Sequence, residues 1–259
     1  MKTLFFAFLL FTYFNSQYLF SQAGDISTDR PDQSESPYLV DKESFQIEAG
    51  ITAESDEPQN DVKINVLSAP SLLFRYGAAK NFELRAGIEH ISSKTTIFNN
   101  SYNESGLGPL MAGAKIGLFK EKGSAPETAL LLSVTIPFKE NSMFQSDYIG
   151  GEFRFAMTNS LSNRVSLSYN LGAEFGAGSR GATGIYTAAI GANLIKKLSV
   201  FAELYGFLPQ KTSPDHRFDA GLTYLVLKNV QLDASFGFGL SKKSPDFFIG
   251  GGVSLRLPK

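Results

Sequence analysis

Val230 to Leu240 reads VQLDASFGFGL, and its alternation separates two chemistries. With a period of two, Val230, Leu232, Ala234, Phe236, Phe238 and Leu240 fall on one face, and Gln231, Asp233, Ser235, Gly237 and Gly239 on the other. A strand oily on one side and polar on the other suits a wall between lipid and water. Its length matches the roughly 9–11 residues that a tilted strand needs to cross a bilayer. Variants of the pattern recur almost to the C-terminus, which predicts an all-β fold, an antiparallel transmembrane β-barrel.

Working outward from this stretch, the alternation predicts twelve strands: 45–54, 67–78, 82–91, 108–119, 128–137, 147–157, 164–175, 182–194, 198–208, 216–226, 230–240 and 247–257. Twelve is even, as bacterial single-chain barrels are. Short links such as Ala79–Asn81, Ile195–Lys197 and Leu227–Asn229 are expected at the periplasmic end, and the polar stretches 55–66 and 92–107 as extracellular loops. Opposed residues of an antiparallel pair share a face. Leu194 facing Leu198 and Val226 facing Val230 across their turns satisfy that requirement.

Composition is consistent with this architecture. Hydrophobic content is 43% and mean hydropathy −0.06, too polar for a helical membrane bundle and close to what alternating walls average to. The formal charge of −1 argues against nucleic acid as a partner. The absence of cysteine excludes disulfides, thiolate metal sites and a cysteine nucleophile. Two isolated histidines, His90 and His216, make no recognisable metal site, and no cofactor-binding motif is present.

The N-terminus divides into two parts. Lys2, the apolar run Leu4–Phe14 and Ser21-Gln22-Ala23 predict a signal peptide over 1–23, cleaved after Ser21 or Ala23. Residues 24–44 are rich in Pro, Asp, Ser and Glu, too polar to order alone, and predict a periplasmic arm. The alternative is a plug, in which Asp29, Arg30 and Asp32 enter the barrel and pair with wall charges. The barrel itself is expected over 45–259.

The run Thr28-Asp29-Arg30-Pro31-Asp32-Gln33-Ser34-Glu35-Ser36-Pro37, followed by Phe45-Gln46-Ile47-Glu48-Ala49-Gly50, resembles the N-terminal signature of transporter-like outer-membrane barrels grouped with the putative MetA-pathway phenol-degradation family. The resemblance implies a Gram-negative outer-membrane transporter or narrow channel for a small, hydrophobic or aromatic solute. The C-terminal strand resembles the signal read by the barrel-assembly machinery through Gly252, Leu255 and Leu257, but lacks a terminal aromatic. That machinery and outer-membrane lipids are thus expected partners.

Function belongs on the inward face, because a cation facing lipid at the midplane costs about 2–4 kcal/mol. Parity points Glu48, Arg75, Glu83, Arg85, Glu89, Lys115, Glu152, Arg154, Glu174, Glu203, Arg217, Asp219, Asp233 and Arg256 inward, with Arg75 near Glu83 or Arg85. Phe201, Tyr205 and Phe207 share that face. These side chains either form a structural charge network or line a solute path. Twelve strands give a lumen between the filled eight-stranded tube and the open porin. A closed structural or interaction barrel presenting 55–66 and 92–107 is the second reading. The third is a hydrolase resembling outer-membrane phospholipase A, with His90 and Ser92 on the outer wall and Asn99, Asn100 or Asn103 orienting the imidazole. Ser93-Lys94 stands where that family has Asn-Gly, so no catalytic residue is assigned.

Overall fold

The computed structural model describes residues 24–137, 144–145, 148–176 and 181–258, so the predicted signal peptide lies outside the described residues. Among the described residues all regular elements are strands: β1 (Phe45–Gln59), β2 (Val62–Ala79), β3 (Phe82–Ile97), β4 (Asn100–Leu107), β5 (Leu110–Phe119), β6 (Glu127–Ile136), β7 (Gly150–Ser160), β8 (Val165–Phe175), β9 (Ala182–Ile195), β10 (Leu198–Pro209), β11 (Asp215–Leu227), β12 (Val230–Gly239) and β13 (Phe247–Leu257). Each pairs antiparallel with its neighbour, and β1 closes the ring on β13 from Phe45↔Leu257 to Ser55↔Phe247. β4 and β5 share one stave, lying against the upper and lower parts of β3. They separate at Gly108-Pro109, where proline has no N–H for the ladder. The barrel therefore has twelve staves.

The oily face of β12 points away from the lumen: Leu232, Phe236 and Phe238 are exposed, while Gln231 and Asp233 are buried. Without water inside the bilayer, every backbone group of a spanning segment needs an internal partner. Ring closure supplies it.

Two expectations need correction. The polar stretches 55–66 and 92–107 are largely strand, since β1–β2 turns at Asn60-Asp61 and β3–β4 at Phe98-Asn99. Asp61 (φ 65°) and Phe98 (φ 52°) take the left-handed geometry that tight hairpin turns use. Above the membrane both faces meet water, so the apolar alternation disappears although the ladder continues. The expected rungs at two turns also shift, with Leu198 facing Ile195 and Val230 facing Leu227. A bulge beside each turn takes up one residue. Beyond it the strand bodies keep the parity-derived register, as Ser199↔Asn193 and Gln231↔Leu225.

Candidate functional site in the barrel lumen

The inner wall is polar at the level of the predicted site. Arg75, Glu48, Glu83, Lys115, Glu203 and Asp219 are among the most deeply buried side chains. Arg75 on β2 bridges Glu83 on β3 and Glu48 on β1, each at 2.8 Å, and faces Arg85 in register. These carboxylates do not neutralise the wall, because Lys115 on β5 and Arg85 bring two further cations.

The missing charges come from residues 24–44. The arm starts at the short-turn end, where the Ile26 amide donates to the Lys228 carbonyl. It rises to mid-lumen around Gln33–Glu35, then descends to Lys42, which bridges Gly77 at the base of β2. Asp29 lies 2.8 Å from Lys115, 3.1 Å from Arg75 and 3.3 Å from Arg85. Glu35 meets Arg85 at 2.8 Å. Lys115 also donates to the Ser36 carbonyl. The segment expected as a solvated tether thus has many of its polar groups paired with the wall.

Further arm contacts reach the wall from β7 round to β13. Arg30 reaches Asp233 at 3.1 Å and the Gly251 carbonyl at 3.0 Å. Its guanidinium lies where a Cβ on Gly50 or Gly252 would stand, so these two paired glycines form its niche. Glu203 accepts from the Gln33 amide (2.7 Å) and the Ser34 hydroxyl (2.6 Å). Arg154 donates to the Gln33 carbonyl and pairs with Glu152 at 3.0 Å. Asn170 accepts from the Glu35 amide and donates to its carbonyl.

Electrostatics differ along the arm. Burial raises the Asp29 carboxyl pKa, but Arg75, Lys115 and Arg85 outweigh it and hold the group well below the usual carboxylate range. Burial pushes Asp32 well above that range, reinforced by the charges of Glu203, Asp219 and Asp29. Burial also raises Glu35, with Arg85 opposing it. The two arm aspartates, three residues apart, are thus shifted in opposite directions by their surroundings.

Of the other predicted residues, Arg217 and Tyr205 fall outside this lock, and Arg256 holds the arm only at its base. Arg217 pairs with Asp215 at 2.7 Å and lies 3.7 Å from Glu54, towards the long-hairpin end. Tyr205 is buried against Phe207, edge to face, beyond the Glu203 level reached by the arm. Arg256 meets Asp41 at 3.4 Å near the base. A polar chamber of about 450 Å³ remains beneath the arm, between Thr28–Asp32 and the inner faces of β8–β10. Gln46, Asn170, Thr187, Gly50 and Gly252 were not assigned to the lumen site from the sequence, although Gln46 and Gly50 belong to the family signature and Gly252 to the C-terminal assembly signal. Parity places the first three inward, but nothing in the sequence marks the two glycines as a niche for Arg30.

No hydrogen bond among the described residues joins His90 to Ser92, which share one face of β3, and Leu107, not an asparagine, faces His90.

A family model described as putative MetA-pathway of phenol degradation matches residues 28–257. The chain superposes on the crystal structure of an outer membrane channel from Pseudomonas putida F1 with a TM-score of 0.63, at 12% identity, covering 89% of this chain and 100% of that one. It resembles the transport unit of the autotransporter AIDA-I from Escherichia coli (TM-score 0.53, 10% identity, 88% and 91% covered). The translocator domain of the autotransporter NalP from Neisseria meningitidis is also similar (TM-score 0.52, 14% identity, 82% and 88% covered). At these identities the likeness is one of fold. No curated protein matches the chain.

Proposed function

The chain belongs to the family described as putative MetA-pathway of phenol degradation and is a barrel of the Gram-negative outer membrane; from that premise we propose that it is a gated channel for a small hydrophobic or aromatic solute. Residues 24–44 are its internal plug. The observation that carries this reading is the division of charge between arm and wall: Lys115 and Arg85, buried on the wall, find their closest carboxylates on Asp29 and Glu35. A barrel needing no opening would be expected to neutralise such cations within its own wall. Here the neutralising group sits on a segment that can leave.

The solute class rests on the family and on the lumen beyond the plug. Tyr205, Phe207 and the inward-facing Phe248 offer apolar surface there, while Arg217 and Glu54 keep the mouth polar. An uncharged ring with a small polar group suits that mixture. No covalent chemistry is involved.

The test is planar-bilayer conductance of the chain lacking residues 1–23, compared with a form also lacking 24–44 and with Asp29→Asn. Liposome uptake of a small aromatic probe is measured in parallel. Current and uptake should rise in both arm-weakened forms. Silence in all three, with the barrel folded, would refute the channel and favour a closed interaction barrel. That second reading draws on the β3–β4 hairpin, which presents exposed Phe98 and Tyr102.

A further inference from the structure

Outside the lumen, five neighbouring strands build a groove that the channel reading does not use. It runs around the barrel wall across β13, β1, β2, β3 and β4, with a volume of about 530 Å³. Register defines its two borders. The lower row is Ile249↔Ala53↔Leu67↔Ser92↔Ser105, and the upper row is Phe247↔Ser55↔Asn65↔Lys94↔Asn103. Both rows face out, since Ile249, Phe247 and Leu67 are exposed while Phe248 between them is buried inward. The intervening row supplies the floor. Its acids turn the other way, as Glu54 shows by lying 3.7 Å from the lumen's Arg217 and Glu104 by its parity.

The two ends differ chemically. Ala53 and Ser55, small residues flanked by the bulk of Phe247 and Ile249, create the depression at the apolar end. At the other end stand hydroxyls, Asn103 and the exposed ammonium of Lys94, which makes no ion pair among the described residues. The groove lies on the outward wall, at the edge away from the short turns, and its apolar end continues the outward-facing ladder of Ile51 and Val253.

We propose that this groove binds a lipid of the outer leaflet bearing a phosphorylated, sugar-like head. An acyl chain lies over Ala53 and Leu67 beside Phe247 and Ile249. The phosphate meets Lys94, and head hydroxyls meet Ser92, Ser105 and Asn103. Both halves of such an amphiphile have a counterpart side by side in the groove, an apolar one at β13–β1 and a cationic, hydroxyl-lined one at β3–β4.

Native mass spectrometry of the detergent-solubilised barrel, titrated with diphosphorylated lipid A or with phosphatidylethanolamine of matched chain length, tests the assignment. The barrel should take up lipid A, and Lys94→Glu should weaken it about tenfold or more, since a favourable contact becomes a repulsive one. Ala53→Phe, which fills the apolar end, should weaken both lipids. Each variant is verified as folded by its heat-modifiable gel mobility, and neither should alter lumen conductance. Equal lipid A binding in the original chain and both folded variants would overturn the proposal. So would a small aromatic probe that displaces the lipid at an equal concentration.

Discussion

Replacing Asp29 with Asn keeps the side chain's size and removes the charge on which Lys115, Arg75 and Arg85 converge. Arg75 retains Glu48 and Glu83. Lys115 does not fare as well, keeping the Ser36 carbonyl and Glu35 at 3.8 Å. Removing one member of a buried ion network costs about 3–5 kcal/mol. That cost falls on the docked arm alone, because an undocked Asp29 is solvated and its loss is neutral. At 1.4 kcal/mol per decade, the undocked population should rise by roughly two to three and a half orders of magnitude. The chain has no cysteine, and the Ser36 hydroxyl is buried without a partner, so Ser36→Cys provides a single probe at little cost. With fast docking, labelling by a water-soluble thiol reagent tracks the undocked fraction. Adding Asp29→Asn should accelerate labelling at least a hundredfold. A change under about threefold, with the barrel intact, would refute the claim that this cluster holds the arm.

Other consequences follow from the same geometry. Gly50→Ala places a methyl on the Arg30 guanidinium, whose atoms are its three nearest contacts, so it should expel Arg30 and speed Ser36→Cys labelling about tenfold, with the barrel still folded in urea titration. Gly252→Ala also strikes the Ala49 carbonyl and should reduce folded yield as well, measured by urea titration. Asp32, raised by burial and by Glu203, Asp219 and Asp29, binds its proton more tightly when docked than when free. Its contribution to docking is complete below the ordinary aspartate value of 3.8 and is lost as pH rises through the higher docked value, so current should grow with pH. Asp32→Asn should flatten that profile in bilayer recordings. Asp29 has the opposite sign, and its contribution is lost only in strong acid. Phe236→Arg, on the lipid face, should lower barrel stability by about 2–4 kcal/mol in urea unfolding.

The wall was legible because one physical demand acts on every rung. Lipid outside and water inside forced Leu232 and Asp233 onto opposite faces, and the same parity placed Arg75 beside Glu83 and Arg85 before any contact was known. Register was legible for the same reason at the β9–β10 and β11–β12 hairpins, where a bulge beside the turn takes up one residue, but the shifts at Gly50/Thr52 and Ser68/Ser71 carried no such signal. The rule fails wherever the demand stops. In Asn65, Lys94 and Asn103 both faces meet water or headgroups, so the strands beyond the membrane looked like loops.

The arm was hard to read because its fold is not written in its own residues. From Asp25 to Ser44 it has too little apolar surface to offset its ordering entropy alone, and that favoured a tether. What orders it is spread through the wall: Lys115 lies 86 residues from Asp29, Glu203 169 from Ser34, and Asp233 203 from Arg30. Single-sequence alternation locates such residues on the inward face but does not say that Lys115 and Arg85 outnumber their wall partners. The charge count comes close to saying it. With Arg75, Arg85 and Lys115 set against Glu48 and Glu83, this side of the lumen carries one surplus cation, and Asp29 with Glu35 turns that into one surplus anion. Burial and the nearby charge of Asp29 then favour protonation of Glu35, which brings the docked cluster towards neutrality. An arm balanced this closely is held by charge more than by packing, which is why a single isosteric change at Asp29 should suffice to free it.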